Sequence, residues 1–182
     1  MSAVAERARV AVLLSDYAAV DAANKINLLG LGWAVTGADP SSGLTAPQTV
    51  VVLIDAPPDL YGEDFAVTLT LRNADDEPVE LPGPAGAMQA MRIAQNVRVE
   101  EPVFAPNLNV PRRAVWAHTQ IILNLANGLP LALGQPYTWT LEIDSTQDPR
   151  WAVSFFVPGP RSAPVFGGPA NPATIPELGH PD

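Results

Sequence analysis

The sequence predicts an all-β protein: an antiparallel β-sandwich, or flattened barrel, with an extended Pro/Gly-rich C-terminal arm. Three observations predict it. Apolar residues alternate with polar ones over short runs separated by turn residues. No regularly spaced amphipathic helices, which a parallel sheet would need, lie between those runs. From residue 158 onward, seven Pro and four Gly crowd into 25 residues. Such a segment has few backbone donors and cannot close a core of its own. The expected division is a sandwich domain over 1–157 and an arm over 158–182.

The elements follow in order. Residues 9–14 begin the first strand, with Val10, Val12 and Leu14 on one face. Residues 21–24 read as a turn, and 26–35 as a second strand interrupted by Gly30 and Gly32, the mark of a bulge or a close backbone approach. A loop covers 36–47. The continuous apolar run 50–54 predicts a strand buried on both faces. Residues 65–72 alternate cleanly, with Phe65, Val67, Leu69 and Leu71 inward, and a polar turn at 73–77 leads to a short strand at 79–81. Residues 91–99 alternate as well; a helix over 85–95 is the competing reading. Three prolines make 101–113 an irregular crossing. The longest strand candidate, 115–125, ends at the turn signal Asn127-Gly128. Residues 137–143 place Tyr137, Trp139, Leu141 and Ile143 on one face. After a turn at 144–149, residues 151–157 return with Trp151, Val153 and Phe155 inward, so 137–157 reads as a hairpin.

Composition narrows the chemistry. With no cysteine, the fold holds by packing alone, and thiolate metal sites and cysteine nucleophiles are excluded. Ten bases against nineteen acids give a net charge of -9, and eight of the acids lie between Asp55 and Glu80. Such a surface repels phosphate backbones and anionic membranes. No apolar run approaches the 18 residues of a membrane span. The five-residue run 10–14 is too short for a signal-peptide core. Synthesis in the cytoplasm is the expectation.

A search for catalytic groups returns little. There is no Gly-x-Ser-x-Gly elbow. His180 falls in the arm, and His118 lies on a strand beside Trp116, the setting of a surface residue. Two distant histidines and no cysteine do not make a usual zinc site. The loops Asp75-Asp76-Glu77 and 144–148 are rich in carboxylates and would offer calcium oxygen ligands if they met at one end of a sandwich. The pair Gly30 and Gly32 lacks the following helix that a phosphate-cradling loop needs. Trp139 and Trp151 face inward and belong to the core rather than to a carbohydrate cleft. The expectation is a non-enzymatic protein with no cofactor, metal or catalytic residue.

Two stretches carry a resemblance. One is Val12-Leu13-Leu14-Ser15-Asp16-Tyr17-Ala18 followed by Asn24-Lys25-Ile26-Asn27-Leu28-Leu29-Gly30-Leu31-Gly32-Trp33. The other is residues 122–129 followed by Gly134-Gln135-Pro136-Tyr137 and the last hairpin. Together they resemble a family of uncharacterised bacterial and phage proteins, with Asn24 standing where Gly is usual before Lys25. The resemblance implies a β-sandwich and brings no activity or functional residues. From the residues themselves, Asp16 and Asn24 suit turn hydrogen bonds, Tyr17 suits a buried ring with a bonded hydroxyl, and Lys25 suits an ion pair with Asp16 or Asp21.

These readings converge on a structural or assembly protein. The expected setting is a phage virion, as a capsid decoration or minor capsid protein or a tail accessory. Its partners would be protein subunits of the same or a larger assembly, with no direct nucleic-acid or membrane contact. Val165, Phe166, Ile175 and Leu178 are the arm residues expected to anchor on a neighbour. The alternative is an intracellular bacterial module that binds a small ligand or a protein through loops at one sandwich end.

Overall fold

Ser2 caps a short helix, α1 (Ala3–Arg7), by accepting a hydrogen bond from the Ala5 N–H at 3.1 Å. Val4 and Ala5 are buried. A helix this short shows no period, so alternation alone passes over it. The computed structural model describes residues 2–83 and 86–160 of the chain. Eleven strands follow among them: β1 (Arg9–Ser15), β2 (Tyr17–Val20), β3 (Ile26–Leu29), β4 (Gln48–Ala56), β5 (Asp64–Arg72), β6 (Glu80–Pro82), β7 (Met88–Ala90), β8 (Arg92–Arg98), β9 (Ala117–Leu125), β10 (Gln135–Ile143) and β11 (Thr146–Val157).

The strands form two main antiparallel sheets, of order β1-β4-β9 and β11-β10-β5-β8, and two ribbons, β2-β3 and β6-β7. The two sheets share one core. Val12, Leu14, Val50, Val52 and Ile54 from the first pack in one cluster with Val67, Leu69, Leu71, Trp139, Leu141 and Phe155 from the second. The fold is all-β, as the alternation predicts. Strand β4 is buried on both faces, with Val50, Val51 and Val52 at most 1 % exposed. It is the middle strand of its sheet, and β2 packs against it and β9. On one flank β1 packs beside β11. There Val35 bridges Phe156 in parallel, with Thr36 N–H donating to the Phe156 carbonyl and Phe156 N–H to the Ala34 carbonyl.

Four expectations are corrected. The strand expected over 26–35 stops at Leu29, because Gly30 and Gly32 adopt φ of 67° and 90° and turn the chain. A Cβ on Gly30 would lie 1.9 Å from the Asp16 carboxylate. The helix reading of 85–95 fails over its described part, where β7 and β8 stand. Pairing with β5, Leu69 opposite Ile93 and Phe65 opposite Val97, rewards the two-residue period. The turn expected over 144–149 is only Asp144-Ser145, with φ of 47° and 62°, a pattern of the tight hairpin kind. Pro149 lies inside β11, at the register shift between Thr140 and Glu142, where the ladder asks it for no N–H.

The fourth correction concerns the acidic loops. Asp144 is bonded to Ala66 near the start of β5, through Ala66 N–H to its carboxylate at 2.7 Å and its own N–H to the Ala66 carbonyl at 2.9 Å. Asp75, Asp76 and Glu77 follow the end of β5, where Asn73 closes their turn. Nine strand residues, roughly 25–30 Å, separate the two loops. They lie at opposite ends of one sheet and cannot share an ion. Among the described residues no three His, Cys, Asp or Glu gather as a metal-binding group.

Tyr137 ties the start of β10 to the preceding loop. Its ring is 2 % exposed and stacks on Phe155 at 5.8 Å. Its hydroxyl donates to the Ala132 carbonyl at 3.0 Å and accepts from Gln135 Nε2 at 2.8 Å. Burial pushes the phenol above its usual range, against the smaller opposing effects of the two hydrogen bonds. A folded-state pKa above the unfolded one means that this contribution is complete below about pH 10 and is lost as the pH rises through the folded value. Tyr137→Phe is expected to cost about 1 kcal/mol at neutral pH and to shrink the stability lost between pH 8 and pH 10.5. Urea midpoints of the two proteins at both pH values check this; an unchanged alkaline loss in the variant contradicts it.

Candidate interaction surface

Because β1 sits beside β11, the strand orders place β4 over β10 and β9 over β5, and among the described residues no strand of the other sheet lies above β8. Burial falls off toward that flank in both sheets. Leu69 and Phe65 on β5 are 4 % and 3 % exposed, whereas their β8 partners Ile93 and Val97 are only half-buried. Val50 and Val52 on β4 are buried, whereas their β9 partners Leu123 and Ile121 are half-buried. Among the described residues the sandwich is therefore three strands on four, open along β8 and β9.

The two edges of this flank differ in chemistry. Strand β8 has Arg92 and Arg98 near its ends, both exposed, the kind of charge that keeps sheet edges from pairing with other chains. Strand β9 runs Ala-His-Thr-Gln-Ile-Ile-Leu-Asn-Leu, without Lys, Arg, Asp, Glu or Pro. Its nine-residue register with β4 has no bulge. Among the described residues no backbone partner meets its other edge, apart from the turn bond of Gly128 N–H to Leu125.

The outer face of the same sheet carries a charged row. The strand register aligns Arg9, Asp55 and His118. His118 Nδ1 lies 2.6 Å from Asp55 Oδ1, and Asp55 is the one hydrogen-bond partner of His118 among the described residues. The Arg9 guanidinium stacks 4.4 Å from the Trp116 ring centre. Sequence reasoning places His118 beside Trp116 but misses Asp55, since the pairing spans 63 residues and depends on register. A histidine held by a carboxylate resembles two parts of a hydrolytic triad. Both side chains are nearly half-exposed, and no hydroxyl bonds to the imidazole among the described residues, so the row supplies an orienting pair without a nucleophile.

Further apolar surface lies on the β2-β3 ribbon, where the cross-strand pair Tyr17 and Leu29 is 53 % and 68 % exposed. Tyr17 is thus not the buried ring expected. Ala18 takes the inward position instead, and a one-residue step reverses the face in a strand. Lys25 makes no ion pair among the described residues; its backbone N–H donates to Asp21 Oδ1 at 2.9 Å and closes the turn. Asn24 does serve its turn, with φ of 58°, and its side chain accepts from Gln120 Nε2 at 2.9 Å. The crossing after β8 exposes Val103 and Leu108 and walls a cavity of about 280 Å³ with Tyr61, Glu101, Phe104, Arg112 and Arg113. Tyr61 donates its hydroxyl to the Val115 carbonyl there.

The expected arm anchors Val165, Phe166, Ile175 and Leu178 lie outside the described residues. No described helix is long and apolar enough to cross a membrane. The chain matches no protein-family model and no curated protein.

Proposed function

We propose that this protein is a non-enzymatic assembly component that joins protein subunits through its sandwich and its C-terminal arm. The observation that carries the reading is β9, a long, unbulged edge without Lys, Arg, Asp or Glu, on a flank that no other strand covers among the described residues. Sheet edges that meet only water are normally blunted by charge, proline or a bulge, and edges left unblunted take strands from other chains. The acidic surface favours protein over nucleic-acid partners. The particle we propose is a phage virion, with this chain as a decoration, minor capsid or tail accessory protein. The resemblance of the stretches around residues 12–33 and 122–137 to a family of bacterial and phage proteins supports that setting.

The arm is the part to remove. A chain ended at Val157 keeps every described strand and is expected to fold with an unchanged circular dichroism spectrum. Full-length protein is expected to exceed the 19.2 kDa of one chain by light scattering, increasingly so with concentration, and the shortened chain to stay at one-chain mass. A shortened chain that assembles as the full chain does overturns the reading.

A further inference from the structure

We infer that the β2-β3 ribbon is a hinged flap, which lifts from the first sheet while the sandwich beneath it stays folded. This is independent of the assembly reading above. Little holds the ribbon down. No residue from Tyr17 to Leu29 joins the core shared by the two sheets, and Ala18 is the one fully buried residue among them. Beyond its base, the ribbon's hydrogen bonds to the rest of the described chain come from Gln120 alone. Gln120 Nε2 donates to the Asn24 carbonyl at 3.3 Å and to Asn24 Oδ1 at 2.9 Å. A two-stranded ribbon with so little packed against it is marginally stable by itself.

What the ribbon covers is polar and unpaired. Strand β2 packs against β4 and β9. Leu14, Val50 and Val52 face the core, so alternation turns Ser15, Thr49 and Val51 to the opposite face. Gln120, next to the core-packed Ile121, lies on that face too. Ser15, Thr49 and Val51 are all 0 % exposed. Ser15 and Thr49 stand directly opposite each other in the ladder. Their hydroxyl oxygens, and Gln120 Oε1, are buried with no hydrogen-bond partner among the described residues. Closing the ribbon desolvates these three atoms, which opposes the gain from burying Ala18 and Val51. Opening it hydrates them. Tyr17 and Leu29, the largest apolar pair of the ribbon, face solvent in the closed state and add nothing to its hold.

The base of the ribbon has the build of a hinge. Asp16 N–H donates to the Leu29 carbonyl at 3.0 Å, and Gly32 N–H to the Leu14 carbonyl at 3.2 Å. These two bonds pin both ends of the ribbon to the end of β1. Gly30 and Gly32 stand beside them at positive φ, and glycine absorbs a change of backbone angle with little steric penalty. The ribbon can therefore swing without unpairing β1 from β4.

The chain has no cysteine, so a single introduced thiol reports its own exposure. Thr49→Cys places one beneath the ribbon and Val50→Cys places one in the core, both at positions 0 % exposed. Under native conditions the Thr49→Cys protein is expected to react with a disulfide reagent about a hundredfold faster than the Val50→Cys protein, as local opening outpaces global unfolding. Equal rates overturn the inference. Asn24 has φ of 58°, so Asn24→Gly suits the backbone and removes only the Oδ1 acceptor. Added to each cysteine protein, it is expected to speed labelling at position 49 several-fold and to leave position 50 unchanged. An unchanged rate at position 49 means that the ribbon does not shield it, and overturns the inference. Hydrogen exchange needs no variant: the bonded amides of β2 and β3 are expected to exchange together, about a hundredfold faster than those of β4. Protection equal to that of β4 overturns the flap. Thr49→Val removes one orphaned hydroxyl at nearly constant volume and is expected to slow ribbon exchange several-fold. Faster exchange in that variant would show that the closed ribbon favours the hydroxyl, and the balance argued above would be wrong.

Discussion

Replacing Trp139 by alanine is expected to cost about 3–5 kcal/mol, a third or more of the stability of an ordinary domain of this size. Trp139 is 0 % exposed, at the middle of β10. It stands between Val153 on β11 and Leu71 on β5 and belongs to the core shared by both sheets. Two hydrogen-bonded ladders flank its backbone, so the surroundings cannot collapse into the space its ring leaves. Trp139→Phe makes a sharp comparison. The indole N–H is buried without an acceptor among the described residues. Phenylalanine removes that unpaired donor while losing some volume, and its expected cost is about 1–2 kcal/mol. Urea unfolding with an unchanged denaturant slope measures both, and a loss below about 1 kcal/mol for the alanine variant would contradict the central place given to this ring.

Gly128→Ala is expected to be the most damaging change in any loop. Gly128 has φ of 69°, and a Cβ there would lie 1.9 Å from the Thr45 carbonyl oxygen. Thr45 cannot step aside. It is 4 % exposed, its N–H donates to the Leu129 carbonyl at 2.9 Å, and its hydroxyl accepts from the Leu129 N–H at 2.9 Å. Strain and overlap together are expected to cost at least about 2–3 kcal/mol. Gly43→Ala isolates the conformational part. Gly43 has nearly the same φ, 70°, but open space where its Cβ would go, so about 1 kcal/mol is expected there. Thermal or urea unfolding of the two variants measures the difference; equal losses would mean that the Thr45 contact carries no weight.

What the sequence discloses follows the range of the interaction that decides each feature. The odd positions from Tyr137 to Ile143 face the core as their alternation predicts, because a two-residue period is a local property. Residues 26–35 mislead because Leu28, Leu29, Leu31 and Trp33 suggest one strand that runs on through a bulge at Gly30 and Gly32, whereas positive φ at those two glycines turns the chain. Pro149 reads as a turn until the bulge that houses it is known. The open flank is hidden for a different reason. An uncharged strand such as β9 has the composition of a central strand, and only the order of strands in the sheet exposes its edge. The Asp55–His118 pair is invisible in the same way, since neither residue's neighbours announce the other.

The packing of the first long strand beside the last described one has a consequence for how the chain is made. Strand β1 is among the first segments to leave the ribosome, yet β11, which shields it, comes about 140 residues later. Until then the inner residues Val12 and Leu14 lack one wall. Closing that distance places the fold among those dominated by contacts between remote segments, which mature in milliseconds to seconds rather than microseconds. A nascent chain of this protein waits on its own C-terminal hairpin before its interior is sealed.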